Sequence, residues 1–160
     1  MSFKIGDKAV YPVHGVGVIK SIETKEVYGK QQTFYVLSIL NNDMTIMVPT
    51  DKVKQVGLRE LTSVNDIAKV YEILNRKDVE IDNHNWNRRQ RKYTEKLKSG
   101  SVFEVAEVLR NLYLLKNEKD LSFGEKRMLD TARSLLVKEI SAAKRVKEEK
   151  VQKDIELIFL

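Results

Sequence analysis

A change of periodicity near Gly57 constrains the fold of this chain more than any other feature of its sequence. Residues 7–50 contain four short segments rich in Val, Ile, Tyr and Phe, separated by glycines and an Asn-Asn pair, which is typical of strands and turns. Beyond Gly57, apolar residues recur at helical spacing. Both prolines, Pro12 and Pro49, lie in the first part, and each marks an edge or a strand end because proline cannot donate to a sheet.

The strand segments are too short to cross a large sheet. Four or five strands within sixty residues predict a small, strongly bent antiparallel barrel with an exposed edge. The remainder predicts a bundle of four to five helices. Capping residues mark three of the helix starts: Ser63, Ser101 with Glu104, and Ser122 with Glu125. We therefore expect an α+β protein of two domains, a β head at residues 1–60 and an all-α bundle at residues 61–160.

Composition excludes several classes of protein. No uninterrupted apolar run approaches the roughly 20 residues of a membrane-spanning helix, and the start MSFKIGDKAV lacks the apolar centre of a secretory signal. The absence of cysteine leaves no disulfide, thiolate nucleophile or cysteine-ligated metal. We expect a soluble, cytoplasmic protein that has no membrane partner.

Candidate catalytic and metal-binding residues are few. The two histidines, His14 and His84, do not lie at metal-ligand spacing, and no G-x-S-x-G motif is present. Gly15 and Gly17 lack the third glycine of a dinucleotide-binding motif, because Lys20 occupies its place. We therefore expect no enzyme, no catalytic residue, no metal, no cofactor and no small-molecule substrate.

The positive charge is concentrated in one predicted helix. The chain carries a formal net charge of +6, and the segment from Trp86 to Lys98 has six basic residues against one acid. The basic residues are Arg88, Arg89, Arg91, Lys92, Lys96 and Lys98. At about 100° per residue, they form a broad face, whereas Tyr93 and Leu97 fall beside Trp86 on a narrow apolar stripe. Such a run of charge is either a solvated helix face or a surface for a polyanion.

Trp86, the only tryptophan, admits two interpretations. It could anchor the end of its helix to the bundle. Alternatively, it is an exposed aromatic residue beside a phosphate-binding cluster, where it could enter a minor groove or stack on an unpaired base. The sequence pattern leaves both interpretations open.

Several separated blocks of sequence have the order and spacing of a known family. They are FKIGDKAVYPVHGVGVI, YVL, MTIMVP, VGLRE, WNRR, GSVFEVAEVLRNLYLL and LSFGEKRMLDTARSLLVKE. Between about residues 3 and 145 the chain resembles the CarD family of bacterial transcription regulators, particularly its CdnL-type members. The first part is also similar to the polymerase-interacting module of transcription-repair coupling factors. The chain has no P-loop and no room for a helicase, which favours a short regulator.

The resemblance implies contacts with promoter DNA by the helical domain. In the family, this domain lies at the upstream edge of the transcription bubble, where a tryptophan wedges into the distorted minor groove. Carried over, Trp86 is the wedge, and the residues expected to contact the phosphate backbone are Arg88, Arg89 and Arg91, with Lys92 and Lys126 in addition. For Lys126, a solvated helix face is an equal alternative.

The resemblance also implies a Tudor-like head that binds the β subunit of RNA polymerase. The strand from Met44 to Pro49 would supply this contact, with Met47 and Pro49 on it and Lys25 nearby. Some relatives have a basic residue at the position of Met47, and packing in the core is the alternative for this side chain.

The resemblance and the charge pattern together predict a function. We expect a monomeric regulator that stabilises promoter open complexes, largely independently of DNA sequence, and that is associated with the nucleoid through polymerase. The alternative is an architectural DNA-binding protein that acts without polymerase.

Overall fold

The structure is a computed structural model that describes residues 2–40, 42–79 and 85–160. The chain divides into two compact units, Met1–Leu61 and Thr62–Leu160. His84, one of the two histidines considered above, lies outside the described residues.

The first unit is a five-stranded antiparallel sheet. Its strands are β1 (Lys8–Tyr11), β2 (Gly15–Val27), β3 (Lys30–Ile39), β4 (Thr45–Pro49) and β5 (Arg59–Glu60), with a short helix α1 (Val53–Val56) before β5. Their order across the sheet is β4-β3-β2-β1-β5. Pro49 ends β4 and Pro12 directly follows β1, as expected of residues that cannot donate to a sheet.

The α+β class is confirmed, but the sheet differs from the predicted barrel because it is open. Among the described residues, β4 pairs only with β3, and β5 pairs only with β1. A register shift between Ile19 and Ser21 bends β2 without bringing the two outer strands together. Strand β5 has two residues and lies at the opposite end of the sheet from β4. The outer side of β4 is therefore an edge.

One face of the sheet carries the core of this unit. Ile19, Leu37 and Val48 are almost completely buried and come from three adjacent strands. Phe3 belongs to the same core, and its ring and that of Tyr35 meet edge to face with their centroids 5.6 Å apart. Burial of these apolar side chains holds the strands in register, because a slip of one residue would turn them to solvent.

The described part of the second unit contains five helices. They are α2 (Val64–Asn75), α3 (Trp86–Lys98), α4 (Val102–Glu118), α5 (Phe123–Lys144) and α6 (Glu148–Ile158). Helix α4 packs against α2, α3 and α5, and its buried residues Leu109 and Leu112 lie in the same core as Leu136 and Ile140 of α5. None of the helices in the described ranges is both long enough and apolar enough to cross a bilayer.

The predicted helix starts are present, with one difference in their hydrogen bonds. At α5 the capping box is complete, with reciprocal bonds between Ser122 and Glu125. At α4 only half of the predicted box forms: the amide of Glu104 donates to Ser101 Oγ at 3.4 Å. The amide of Ser101 donates to Ser99 Oγ at 3.2 Å instead. The hydroxyl of Ser99 thus takes the place predicted for the Glu104 carboxylate.

Candidate functional site

Helix α3 begins at Trp86 because the preceding residue is a good cap. The Asn85 side chain accepts a hydrogen bond from the Arg88 amide at 3.0 Å, which satisfies one of the free amides of the first turn. Tyr93 and Leu97 are buried in the helical core, so the predicted apolar stripe is confirmed. The stripe sets the rotation of α3 and thereby decides which of its basic residues face solvent.

Trp86 is partly buried and packs against the helical core. Its indole lies against Gly124 in the first turn of α5, where an added Cβ would be 3.0 Å from Trp86 Nε1 and Cζ2. The guanidinium of Arg89 lies over the indole, with Cζ 5.4 Å from the ring centroid. The side chain therefore anchors the start of α3 and still keeps part of its surface in solvent.

The position of Arg89 corrects the expectation that it belongs to the exposed cationic face. The residue is only 7% exposed, and its Nη1 donates to Glu125 Oε2 at 2.8 Å. Arg89 follows Trp86 by three residues, so it lies about 60° from Trp86 around the helix, at the border of the apolar stripe. Arg89 faces inward at this border position because it pairs with Glu125 on α5. A helical wheel of α3 alone does not show that partner.

Glu125 joins this ion pair to the cap of α5. Its carboxylate is 1% exposed, and Oε1 accepts a hydrogen bond from the Ser122 amide at 2.9 Å. Burial acts to raise the pKa of Glu125, but hydrogen bonds from Ser122 and Arg89 and the charge of Lys119 favour the carboxylate. The net pKa lies below its ordinary value. The carboxylate is therefore charged in the folded protein and holds α3 against α5.

The other basic residues of α3 divide between solvent and the domain. Arg88, Arg91, Lys92 and Lys98 are exposed. Lys96 is part-buried and forms an ion pair with Glu107 of α4. The exposed basic residues therefore lie on the solvent side of α3, at about 120° to 240° around the helix from Trp86, and Lys96 contributes to packing instead.

Phe123 is a candidate site residue that the sequence analysis missed. It is the first residue of α5, it is 77% exposed, and it immediately precedes the glycine against which Trp86 packs. Arg127 lies over its ring, with Cζ 5.8 Å from the centroid. A signal was available in the sequence: Phe123 lies about 120° around α5 from the buried Leu129, too far to join the apolar stripe.

Lys126 lies elsewhere on α5. Two residues after Gly124, it is turned by about 200° around the helix from the position that meets Trp86. It lines a separate groove of about 390 Å³ between the end of α4 and the start of α5. The other lining residues are Lys116, Asp120, Leu121, Leu129, Asp130 and Arg133. The structure therefore does not bring Lys126 together with Trp86.

On the β head, Met47 and Pro49 lie on the edge strand β4. Met47 is 39% exposed, whereas its neighbour Val48 is buried, so the alternative that Met47 packs in the core is wrong. Lys25 is exposed on β2, two strands away from β4, which corresponds to about 10 Å. The edge therefore presents Met47 and Pro49 together, without Lys25.

Comparison with known proteins covers both units. Residues 69–156 match the family model described as the CarD C-terminal domain, and residues 3–62 match the CarD-like/TRCF RID domain. The chain belongs to the CarD family. The resemblance stated from the sequence is thus confirmed.

Known relatives of this CarD-family chain include one that matches most of its length. YdeB of Bacillus subtilis, named as a proposed transcription factor, is 36% identical over 151 residues, which cover 94% of this chain and 97% of YdeB. CdnLNt from Myxococcus xanthus is 60% identical and covers 39% of this chain and 89% of its own, with a TM-score of 0.34. The 72-residue N-terminal domain of Myxococcus xanthus CarD is 36% identical. The match covers 37% of this chain and 79% of that domain, with a TM-score of 0.33.

Replacing Glu125 by glutamine tests the link between α3 and α5 in this CarD-family chain. Glu125→Gln removes the negative charge that faces the buried Arg89, so we expect a loss of about 3 kcal/mol in the free energy of unfolding at neutral pH. The pKa of Glu125 is lower in the folded protein than its ordinary value of 4.5, so its charge stabilises the fold above about pH 4.5. This stabilisation is lost as the pH falls through the lower pKa of the folded protein. Chemical denaturation between pH 3 and pH 7, with about ten pH values, measures both effects.

The matched control is Glu95→Gln, which changes an exposed carboxylate on α3. It should keep the stability of the unmodified protein at neutral pH, whereas Glu125→Gln should lose stability there and have a flatter pH dependence. Identical pH profiles for Glu125→Gln and the unmodified protein would show that Glu125 does not stabilise the folded state through its charge.

Proposed function

We propose that this protein regulates transcription by binding the β subunit of RNA polymerase through its β head and stabilising promoter open complexes through its helical unit. The observation that carries the DNA-binding part is the partly exposed Trp86 at the start of α3, followed by exposed Arg88 and Arg91. The match to the CarD-like/TRCF RID domain supports polymerase binding. The description of YdeB as a proposed transcription factor supports the role in transcription.

The exposed basic residues of α3 are suited to the phosphate backbone. Arg88, Arg91 and Lys92 lie within two turns of Trp86, and their cationic groups can replace the counterions of phosphates. Backbone contacts carry no sequence information directly, so this binding is largely independent of DNA sequence. Arg89 has a different role in this proposal: it holds α3 on α5 and does not contact phosphate.

Two aromatic side chains flank the same glycine and give this surface its second component. The indole of Trp86 lies on Gly124, and Phe123 is the residue before that glycine. Exposed apolar rings next to basic residues are typical of proteins that insert a side chain between distorted base steps or stack on an unpaired base. We call Trp86, Phe123, Arg88, Arg91, Lys92 and Arg127 the aromatic-basic surface.

Stabilisation of the open complex requires that the aromatic-basic surface bind open DNA more tightly than closed duplex. A ligand shifts an equilibrium only by its difference in affinity for the two states. One ring stacked on a base contributes about 1–3 kcal/mol, and each 1.4 kcal/mol is about a tenfold change in an equilibrium constant. Trp86 alone is therefore able to lengthen the lifetime of an open complex by up to about two orders of magnitude.

The free edge of β4 is the proposed polymerase contact. Edge strands present unpaired amides and carbonyls that a partner strand extends, and exposed side chains provide specificity. Met47 supplies an exposed apolar side chain at this edge, and Pro49 ends the pairing. Binding by the head then raises the local concentration of a DNA surface of limited affinity. This division of roles accounts for a net charge of only +6.

Removing the indole tests the wedge. We expect Trp86→Ala to shorten the lifetime of polymerase–promoter open complexes by up to about a hundredfold relative to the unmodified protein. The control Leu157→Ala removes an exposed apolar side chain from α6 and should leave the lifetime unchanged. Circular dichroism checks the fold of both variants. An unfolded Trp86→Ala protein would instead assign the indole to structural anchoring.

The salt dependence of DNA binding tests the basic component. If Arg88, Arg91, Lys92 and Arg127 meet phosphates, the logarithm of the affinity for duplex DNA should fall against log salt with a slope of about −3 to −4. Arg91→Ala should reduce that slope by about 1 and weaken binding uniformly across sequences. Lys153→Ala, an exposed lysine on α6, should not change it. A slope near zero in fluorescence-anisotropy titrations would rule out the phosphate contacts.

Binding of the full-length protein to polymerase tests the β4 edge. Met47→Glu places a charge on an apolar contact and should weaken binding to the isolated β subunit by about tenfold or more. The control Ile5→Glu makes the same kind of change at an exposed site outside the strands. The Ile5→Glu protein should bind the β subunit as tightly as the unmodified protein does. If the unmodified protein does not bind β, the proposal fails in favour of an architectural DNA-binding protein.

A further inference from the structure

We propose that Gly124, the second residue of α5, is a positioning residue for Trp86. In this proposal the missing side chain lets the indole rest directly on the backbone of α5, in a single orientation that its contact with DNA uses. Only the link to DNA contact rests on the proposed function, because the packing of Trp86 on Gly124 can be measured without DNA.

The first argument is steric. A Cβ at position 124 would lie 3.0 Å from Nε1 and Cζ2 of the indole and 3.2 Å from Cε2. Contacts of this kind are tighter than ordinary van der Waals separation, so either the ring or the start of α5 must move. The contact is with one edge of the indole, and the position of that edge determines which part of the ring remains in solvent.

The backbone gives no other reason for a glycine at this position. Gly6, Gly15, Gly29, Gly57 and Gly100 have positive φ, whereas Gly124 lies in helix α5 and is not among them. Alanine is the better helix former, so glycine weakens the first turn of α5. Close approach of the indole is the compensating contact that the structure shows.

The second argument is that another side chain also holds the indole. Arg89 lies over the ring, and its guanidinium is fixed by Glu125, the residue immediately after Gly124. Glu125 is fixed in turn by the Ser122 amide. Successive residues of the same turn of α5 therefore control the indole, one by direct contact and the other through Arg89.

An indole held in this way has lost its rotamer freedom before DNA binds. Ordering a side chain at the moment of binding weakens the complex, and pre-ordering it removes that cost. Displacing the ring should therefore reduce its effect on the open complex even though every atom of Trp86 is still present.

The experiment uses Gly124→Ala and Gly124→Val in the full-length protein, with Ser134→Ala on the exposed face of α5 as the control. Trp86 is the only tryptophan, so its fluorescence and near-ultraviolet circular dichroism report on this contact alone among indoles. We expect increased quenching by acrylamide and a loss of the near-ultraviolet tryptophan signal, larger for valine than for alanine. We also expect open-complex lifetimes to fall toward that of Trp86→Ala.

Thermal denaturation in two backgrounds separates packing from helix propensity. With Trp86 present, Gly124→Ala should lower the melting temperature or leave it unchanged, because the clash offsets the better helix former. In the Trp86→Ala background the same substitution should raise it. Open-complex lifetimes with the Trp86→Ala protein should not fall further when Gly124→Ala is added.

Unchanged quenching and circular dichroism in both Gly124 variants would overturn the proposal. It would also be overturned if the optical signals changed while the open-complex lifetime stayed at the unmodified value in the presence of a large Trp86→Ala effect. If Trp86→Ala itself had no effect on lifetime, the proposed wedge would fail, and the optical data would still decide whether Gly124 holds the indole.

Discussion

The buried ion pair between Arg89 and Glu125 is the interaction on which the candidate DNA-binding surface depends. It joins the first turn of α3 to the first turn of α5 at a distance of 2.8 Å. Glu125 also completes the capping box of α5, so a single carboxylate satisfies a helix terminus and fixes a second helix. A buried charge that lost its partner would be strongly destabilising, so the two helix starts are held together. The packing of Trp86 on Gly124 follows from that arrangement.

The two units present different kinds of recognition surface. The first unit has an open sheet whose edge strand carries an exposed Met47, a geometry suited to a protein partner. The second unit has rings and cations at the joined starts of two helices, a chemistry suited to a nucleic acid. Because each surface lies within one unit, neither requires a particular arrangement of the two units for its own construction.

Sequence patterns predicted the elements well and the membership of the site less well. The start of α3 at Trp86, the apolar stripe of Tyr93 and Leu97, and the capping box of α5 follow from local spacing and are confirmed. The inward position of Arg89 was not predicted, because its partner is 36 residues away in the chain. Closure of the sheet was wrongly expected, since strand lengths do not reveal which edges meet.

The sequence by itself determined the α+β organisation, the starts of helices α2 to α5 and the concentration of positive charge behind the only tryptophan, because these properties depend on residues that are neighbours in the chain. Only the tertiary structure decided which of those residues share a surface. Packing of α3 against α4, together with the contacts of its first turn with α5, turned Arg89 inward and placed Trp86 on the glycine that follows Phe123. The same geometry left Lys126 on another face of α5. A helical wheel describes one helix, whereas a surface is made where two helices meet.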